Sequence, residues 1–303
     1  MLHITREHDV TIIELGKSYD SLSQAKLDEA RERLLHEALA MARECGCTFG
    51  VGWASNLLGN LAIYRQAYLE GEKHLRASLE AFRGMAHHRG LSWVVASLAR
   101  LAYYRADYAS ARALVAESMA MCEQIGWTWR VIDQLLFLGE VALAERAQAD
   151  ACTYYQEALV QAQDIGDDRL SACACCGLGD AALARHDLGA ARVAYCQAFD
   201  LAPDDLQEEL ECRVVLGLVA WALGERRLEH AATLVALARR IMSKPLPPVW
   251  EAVSWMDLRL RASELHAELQ RQLPAAALAV AEERARSMSL HATVLELIEE
   301  LAS

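Results

Sequence analysis

In this chain of 303 residues, a small residue following a leucine returns at a nearly constant interval as far as residue 217, and that recurrence limits what the chain can fold into. The pairs Leu15-Gly16, Leu58-Gly59, Leu98-Ala99, Leu138-Gly139, Leu178-Gly179 and Leu216-Gly217 set their small residues 43, 40, 40, 40 and 38 positions apart. Three further registers keep a spacing of 40 without slippage: Ala38, Ser78, Ser118, Ala158 and Ala198; Leu39, Leu79, Met119, Leu159 and Phe199; and Leu35, Leu75, Val115, Tyr155 and Tyr195. Registers of this kind belong to repeat architectures, in which each copy packs on its neighbours and no single core is shared. A length beyond the usual single-domain range is then reached by adding copies.

Each copy contains two stretches in which apolar residues recur at steps of three and four, the period of an amphipathic helix. Breaks fall at Gly46, Gly126 and Gly166 between copies, and at Asp107-Tyr108 and Asp187-Leu188 within them. These are ordinary helix stops and turns. The glycine after the leucine has a mechanical reading. Inside a helix it costs about 1 kcal/mol against alanine, so it has to be offset by close approach of the partner helix. Gly71, Ala111, Ala151 and Ala191, again 40 apart, supply the matching flat position on the second helix of each copy. The expectation is an all-α, right-handed solenoid of about six helix pairs over 1–244, with capping helices continuing it over 245–303.

Leucine-glycine, a small residue, Asp or Gly at the turn, then Ala, an aromatic or aliphatic residue, and Ala again: this order resembles the tetratricopeptide repeat. The copies run near 40 residues instead of the usual 34, because both helices are longer. The phrases EALAMARECG (37–46) and EALVQAQDIGDD (157–168), with PLPPVWEAV (245–253) and AVAEERARSMSLHATVLELIEEL (279–301) at the end, are similar to the C-terminal sensor arrays of MalT-like and LuxR-type bacterial regulators, the STAND ATPases. The resemblance implies a cytoplasmic sensor arm with a switch ATPase domain elsewhere in a parent chain. In those regulators a helix-turn-helix reads DNA, and neither it nor the nucleotide switch has a counterpart here. Gly16-Lys17-Ser18 imitates the end of a phosphate-binding loop, but the position five before Gly16 is Thr11 and no strand-to-helix context is expected there.

Composition narrows the function further. The net charge of −12 argues against direct nucleic-acid contact, which needs a clustered basic surface. No apolar stretch reaches the roughly 20 residues required to span a bilayer, and the start MLHITREHDV lacks the apolar centre of a signal peptide, so a cytoplasmic protein without membrane contact is expected. The nine cysteines lie within helical patterns and are expected as small buried apolar residues, apart from Cys45 and Cys47, which sit at a helix end as exposed thiols. Cys173 and Cys176 share a helix face while Cys175 does not, so the three do not form a metal site alone. The pair His87-His88 falls in a turn. Asp167-Asp168 and Asp204-Asp205 stand at helix starts, where carboxylates accept free amide protons. No nucleophile with its base, no carboxylate pair and no glycine-rich cradle is present, so neither an enzyme nor a bound cofactor or metal is expected.

In a tetratricopeptide array the first helix of each pair lines the concave side. By that resemblance the inner row runs Val10, Ile13, Lys17; Trp53, Asn56, Asn60, Ile63, Tyr64; Trp93, Ala96, Arg100, Tyr103, Tyr104; Asp133, Leu136, Glu140; Cys173, Cys176, Asp180; and Glu211, Val214, Leu218, Trp221. Trp, Tyr and Arg bury much area and carry a polar tip, which suits them to binding hot spots. The candidate ligand-binding residues are therefore Trp53, Asn56, Asn60, Tyr64, Trp93, Arg100, Tyr103 and Tyr104, facing a protein, a peptide or a small inducer in the groove. The competing reading is a structural scaffold that self-associates through the ends of the solenoid, where unpaired repeats expose apolar surface.

Overall fold

The computed structural model describes residues 3–7, 10–14, 24–202, 207–243 and 249–300, with side chains over 29–202, 208–243 and 258–299. Among the described residues fourteen helices follow a short hairpin. The first, α1, spans Gln24–Glu44; then come α2 (Thr48–Tyr64), α3 (Tyr68–Gly84), α4 (His88–Tyr104), α5 (Tyr108–Gln124), α6 (Thr128–Ala144), α7 (Gln148–Asp164), α8 (Asp168–Ala184) and α9 (Leu188–Leu201). The second half holds α10 (Gln207–Gly224), α11 (Leu228–Ile241), α12 (Val249–Gln272), α13 (Ala275–Ser287) and α14 (Leu290–Glu300). Five complete pairs, α2–α3 through α10–α11, form the array expected from the 40-residue registers.

The beginning of the chain differs from that reading. Strands β1 (His3–Glu7) and β2 (Val10–Glu14) pair antiparallel, with Ile4 opposite Ile13 and Thr5 opposite Ile12. Val10 and Ile13, assigned to the first inner helix, therefore lie in a strand. The reason is local: Val10-Thr11-Ile12-Ile13 is an unbroken β-branched run, stiff at χ1 and poorly suited to a helix. Leu15, Gly16, Lys17 and Ser18, as well as Asp204 and Asp205, lie outside the described residues.

The regularity of the array resides in its turns. From α2 to α8 every helix has 17 residues and every connection three. At each connection one residue takes the left-handed conformation: Gly46, Gln66, Ala86, Ala106, Gly126, Arg146, Gly166, His186 and Arg226, with φ between 49° and 69°. The next residue sends its N–H back to a carbonyl five positions earlier, as in Ala67 N to Ala62 O at 2.9 Å and Asp107 N to Ala102 O at 2.9 Å. This is the Schellman closure of a helix. The residue that closes one helix also caps the next. Asp167, closing α7, accepts from Leu170 N through Oδ1 at 2.9 Å and from Ser171 N through its carbonyl at 3.0 Å. One residue thus satisfies orphan groups of two helices and fixes the angle between them. Asp167→Ala should lower stability by about 1 kcal/mol, checked by urea denaturation followed at 222 nm.

Within the pairs, aromatic side chains of the second helices sit in sockets made by glycines of the first. A Cβ added at Gly139 would lie 2.4 Å from the Tyr155 ring, and one at Gly177 on the next pair would meet the same ring at 2.4 Å. Tyr195 is held likewise by Gly179 at 2.3 Å, with its hydroxyl 2.9 Å from the corresponding point at Gly217. At Gly59 the partner is Leu75, and at Gly71 it is the Gly59 carbonyl, 3.1 Å away. The expected close approach is thus realised, and the pairs interlock because one ring fills sockets on two successive first helices.

First helices also touch one another directly, α2 on α4, α6 on α8 and α8 on α10, while each second helix is wedged between first helices. The first helices therefore form an inner wall. An exposed ion pair joins successive copies at a fixed register: Arg65 with Glu32, Arg105 with Glu72 at 2.8 Å, and, with the charges exchanged, Arg112 with Glu145. Toward the C-terminus the small clusters merge into one core shared by α8 to α14. There α13 packs on α11, and α14 packs on α9 and α10.

The helix α12 is different. It is 24 residues long, outside the 20-residue spacing, and packs against α10, α11 and, at the far end of the array, α2. Leu258, Arg259, Leu260 and Ala262 are all buried and Arg261 is half-buried. Five successive residues turn through more than a full circle of the helix, so this segment is covered on nearly every side, as a helix lying on a surface never is. It lies inside the array, along the inner wall.

Candidate functional site

Two rows of side chains run across the inner wall. Near the N-terminal ends of α2, α4 and α6 is an aromatic row. Trp53 is 6.2 Å from Phe49 and 6.2 Å from Trp93, and Trp93 is 6.2 Å from both Trp127 and Trp129, with ring planes steeply inclined throughout. Trp127 and Trp129 meet edge to face at 5.2 Å. Edge-to-face contacts at these separations add stability beyond the buried area. Behind the row, fully buried Phe82 lies 5.4 Å from Trp53.

A cation is built into this row. The Arg130 guanidinium stands 3.8 Å from the centre of the Trp93 ring and bonds to Asp133. Its side chain is almost wholly buried; burial pulls its pKa down, and the Asp133 carboxylate opposes this. Arg89 covers Trp127 at 5.3 Å. Phe49 and Trp129 remain 39% and 40% exposed, so the row ends in open aromatic faces at both sides.

Nearer the C-terminal ends of the same helices lies a polar row. Asn60, Arg100, Glu140 and Asp180 occupy one register of α2, α4, α6 and α8. Asn60 donates to the Asn56 carbonyl at 3.1 Å and to Ser97 Oγ at 3.1 Å, and Asn56 donates to Ser97 Oγ at 3.2 Å. These bonds tie α2 to α4. Arg100 covers Phe137 at 4.9 Å. Glu140 faces Arg213 Nη1 of α10 at 3.7 Å, and Glu209 holds the same guanidinium at 3.3 Å. Asp180 accepts from the Tyr195 hydroxyl at 2.8 Å and faces Arg261 Nη1 of α12 at 3.4 Å.

The eight candidate residues thus divide. Trp53 and Trp93 belong to the aromatic row. Asn56 and Asn60 are engaged in joining neighbouring pairs, and Asn56 is 2% exposed. Tyr64 packs toward α1 beside Leu35, Leu39 and Leu58. Tyr103 lies 5.3 Å from Tyr104 and 5.6 Å from Phe137, close to Arg100, and burial pushes both phenols well above their ordinary pKa. The negative charge of Glu264, on α12, adds to the rise at Tyr68, Tyr103 and Tyr104. Burial raises the Glu264 carboxyl and Arg261 opposes it.

Sequence reasoning missed Phe49, Trp127, Trp129, Arg130, Arg213 and Arg261 as members of these rows. The phrase Trp127-Thr128-Trp129-Arg130 was a visible signal, since it brackets a helix start. Arg261 had none, being 81 positions from Asp180 and outside every register. Of the three neighbouring cysteines Cys175 and Cys176 are buried and Cys173 is half-buried; desolvation pushes Cys173 and Cys175 up to about 11 and Cys176 well above its ordinary value, so they stay protonated thiols. Among the described residues no three metal-ligating side chains converge, and no helix is long and apolar enough to cross a membrane. On the outer face an open cleft of about 650 Å³ is lined by Glu72, Arg76, Arg83, Leu98 and Arg105, but Glu72 holds both Arg76, at 2.5 Å, and Arg105.

Solved structures share this fold. The crystal structure of NprR in complex with its cognate peptide NprX superposes on 95% of this chain and 91% of its own, with a TM-score of 0.53 and 14% identity. That of BtubC (BKLC) from P. vanneervenii covers 75% of this chain and 96% of its own, with a TM-score of 0.53 and 18% identity. The fold is a tetratricopeptide-like helical array. No protein-family model and no curated protein sequence matches the chain.

Proposed function

We propose that this chain is a non-enzymatic, cytoplasmic module that binds a peptide or a segment of another protein along its inner wall, as the sensor arm of a bacterial signalling or transcription-regulating ATPase. The observation that supports it best is the aromatic row from Phe49 through Trp53 and Trp93 to Trp129. It ends in rings that no described residue covers, and it lies beside cationic Arg89 and buried Arg130. Exposed tryptophan faces on a rigid wall bind side chains at little entropic cost. NprR, which has the same fold, was crystallised with a peptide, which agrees with this reading.

In a parent chain with a switch domain, such a ligand would shift the switch only by its difference in affinity for the two states. Self-association through the solenoid ends fits less well. Val294, Leu297 and Ile298 of α14 are buried, and α13 and α14 cover the last pairs.

The test is a random-peptide display selection on the full chain, with the enriched peptides labelled and titrated by fluorescence polarisation. Trp129→Ala with Phe49→Ala should weaken their binding roughly tenfold or more, at a temperature where circular dichroism shows the variant as helical as the natural chain. Peptides that bind the double variant as tightly as the natural chain would remove the aromatic row from the site.

A further inference from the structure

The polar half of the inner wall is already occupied, and its occupant shows what it selects. Along this half the wall carries the carboxylates Glu140, Asp180 and Glu209, of which Glu140 and Glu209 share Arg213. The segment of α12 lying against it presents Arg261 to Asp180, within an apolar frame of Leu258, Leu260, Ala262 and Leu269 that is buried to within a few per cent. With Glu140 and Glu209 engaged by Arg213, the Asp180 carboxylate of the wall is met by a helix that brings arginine and leucine at helical spacing.

The attachment of α12 also differs from that of its neighbours. From α1 to α9, and again between α10 and α11, helices are coupled by the three-residue turn whose closing residue caps the next helix. Helix α11 ends at Ile241 and α12 begins at Val249, and the sequence between them, with Pro245, Pro247 and Pro248, is longer than the three residues that separate the earlier helices. At its other end α12 is joined to α13, which packs on α11, by Leu273 and Pro274 alone. Among the described residues its buried His266 Nδ1 has no hydrogen-bond partner, and the Arg261 to Asp180 distance of 3.4 Å is long for a charge-assisted bond. A helix held in this way can be exchanged for another that fits better.

We infer that the inner wall is a groove for an amphipathic, arginine-bearing helix, and that α12 is its internal occupant, which a helical partner of that chemistry displaces. This builds on the peptide-binding reading above and specifies both the ligand and the regulation: the site is closed in the free chain and opens by competition. Because the binding-competent state is then a minor one, apparent affinity for a partner is reduced by the fraction of molecules with α12 out.

The probe is a fluorescein-labelled synthetic peptide with the sequence of residues 249–272, titrated with the full-length chain. Arg261→Glu in the chain sets a carboxylate against Asp180 and loosens the internal helix without altering the wall; Arg261→Gln is the milder second variant. Both should bind the probe more tightly than the natural chain, Arg261→Glu by roughly tenfold or more, and hydrogen exchange should show lost protection over 258–269 while α4 to α8 stay protected. The inference is overturned if 258–269 becomes unprotected in either variant and the probe still does not bind. It is equally overturned if protection of 258–269 is unchanged in both, since the contact with Asp180 would then not decide the seat. Peptides selected on the aromatic row provide the separate check: if they bind and the probe does not, displacement of α12 fails while the general reading stands.

Discussion

A valine at Gly139 should cost the array about 3 kcal/mol or more, the upper end of what overpacked cores show. The first added carbon would fall 2.4 Å from the Tyr155 ring. That ring is 3% exposed and is held on its other side by Gly177, so it has nowhere to withdraw. Either α6 separates from α7 or Tyr155 leaves its socket. Because repeat arrays unfold by segments, the measurement is native-state hydrogen exchange, which should show α6 to α8 opening while α2 to α4 keep their protection. The same change in a chain that also carries Tyr155→Leu should be milder than the sum of the two single changes, since the smaller side chain returns space to the valine. Strict additivity of the two would show that the glycine does not face the ring.

This interlock explains why the architecture was legible before any coordinate. A glycine inside a helix is costly unless something approaches it, so Leu58-Gly59, Leu138-Gly139 and Leu178-Gly179 announced contacts, and the step of 40 announced their order. Other features had no such signature. The hairpin at His3–Glu7 and Val10–Glu14 has only its β-branched run Val10-Thr11-Ile12-Ile13 as a signature, and the leucine-glycine register places Val10 and Ile13 on a helix. The candidate site was legible in part: Trp53 and Trp93 lie in one aromatic row, but Asn56 and Asn60, counted among the candidate ligand-binding residues, have their donors engaged with Ser97 and Asn56. A sequence shows that an asparagine lies on the inner side of a helix, not whether the neighbouring helix has already engaged it. The position of α12 depends on how far the array curves back toward α2, a property of the whole wall to which no short segment testifies.

The 20-residue ladder of turns was hidden for a related reason. Left-handed positions are usually betrayed by glycine, and here only Gly46, Gly126 and Gly166 fit that habit, whereas Gln66, Ala86, Ala106, Arg146, His186 and Arg226 adopt the same conformation with a side chain. An L-residue in this region costs roughly 1–2 kcal/mol, and that strain is carried six times because the shared turn sets the stacking angle of every pair. Replacing all six by glycine should therefore stabilise the chain. Each exchange should yield about 0.5–1 kcal/mol after the extra freedom that glycine gives the unfolded chain, for a total of roughly 3–6 kcal/mol. A rise in melting temperature on the order of 10 °C is expected for a chain of this size, read by calorimetry. Ala86 and Ala106 are the cleanest single tests, because only a methyl is lost. The reverse change separates backbone from space: nothing lies within 4 Å of a Cβ added at Gly126, so Gly126→Ala meets no steric obstacle. Its loss of about 1 kcal/mol would come from the positive φ alone. A neutral Gly126→Ala would mean that these turns relax freely, and the shared turn could then not be what holds successive helices at one angle.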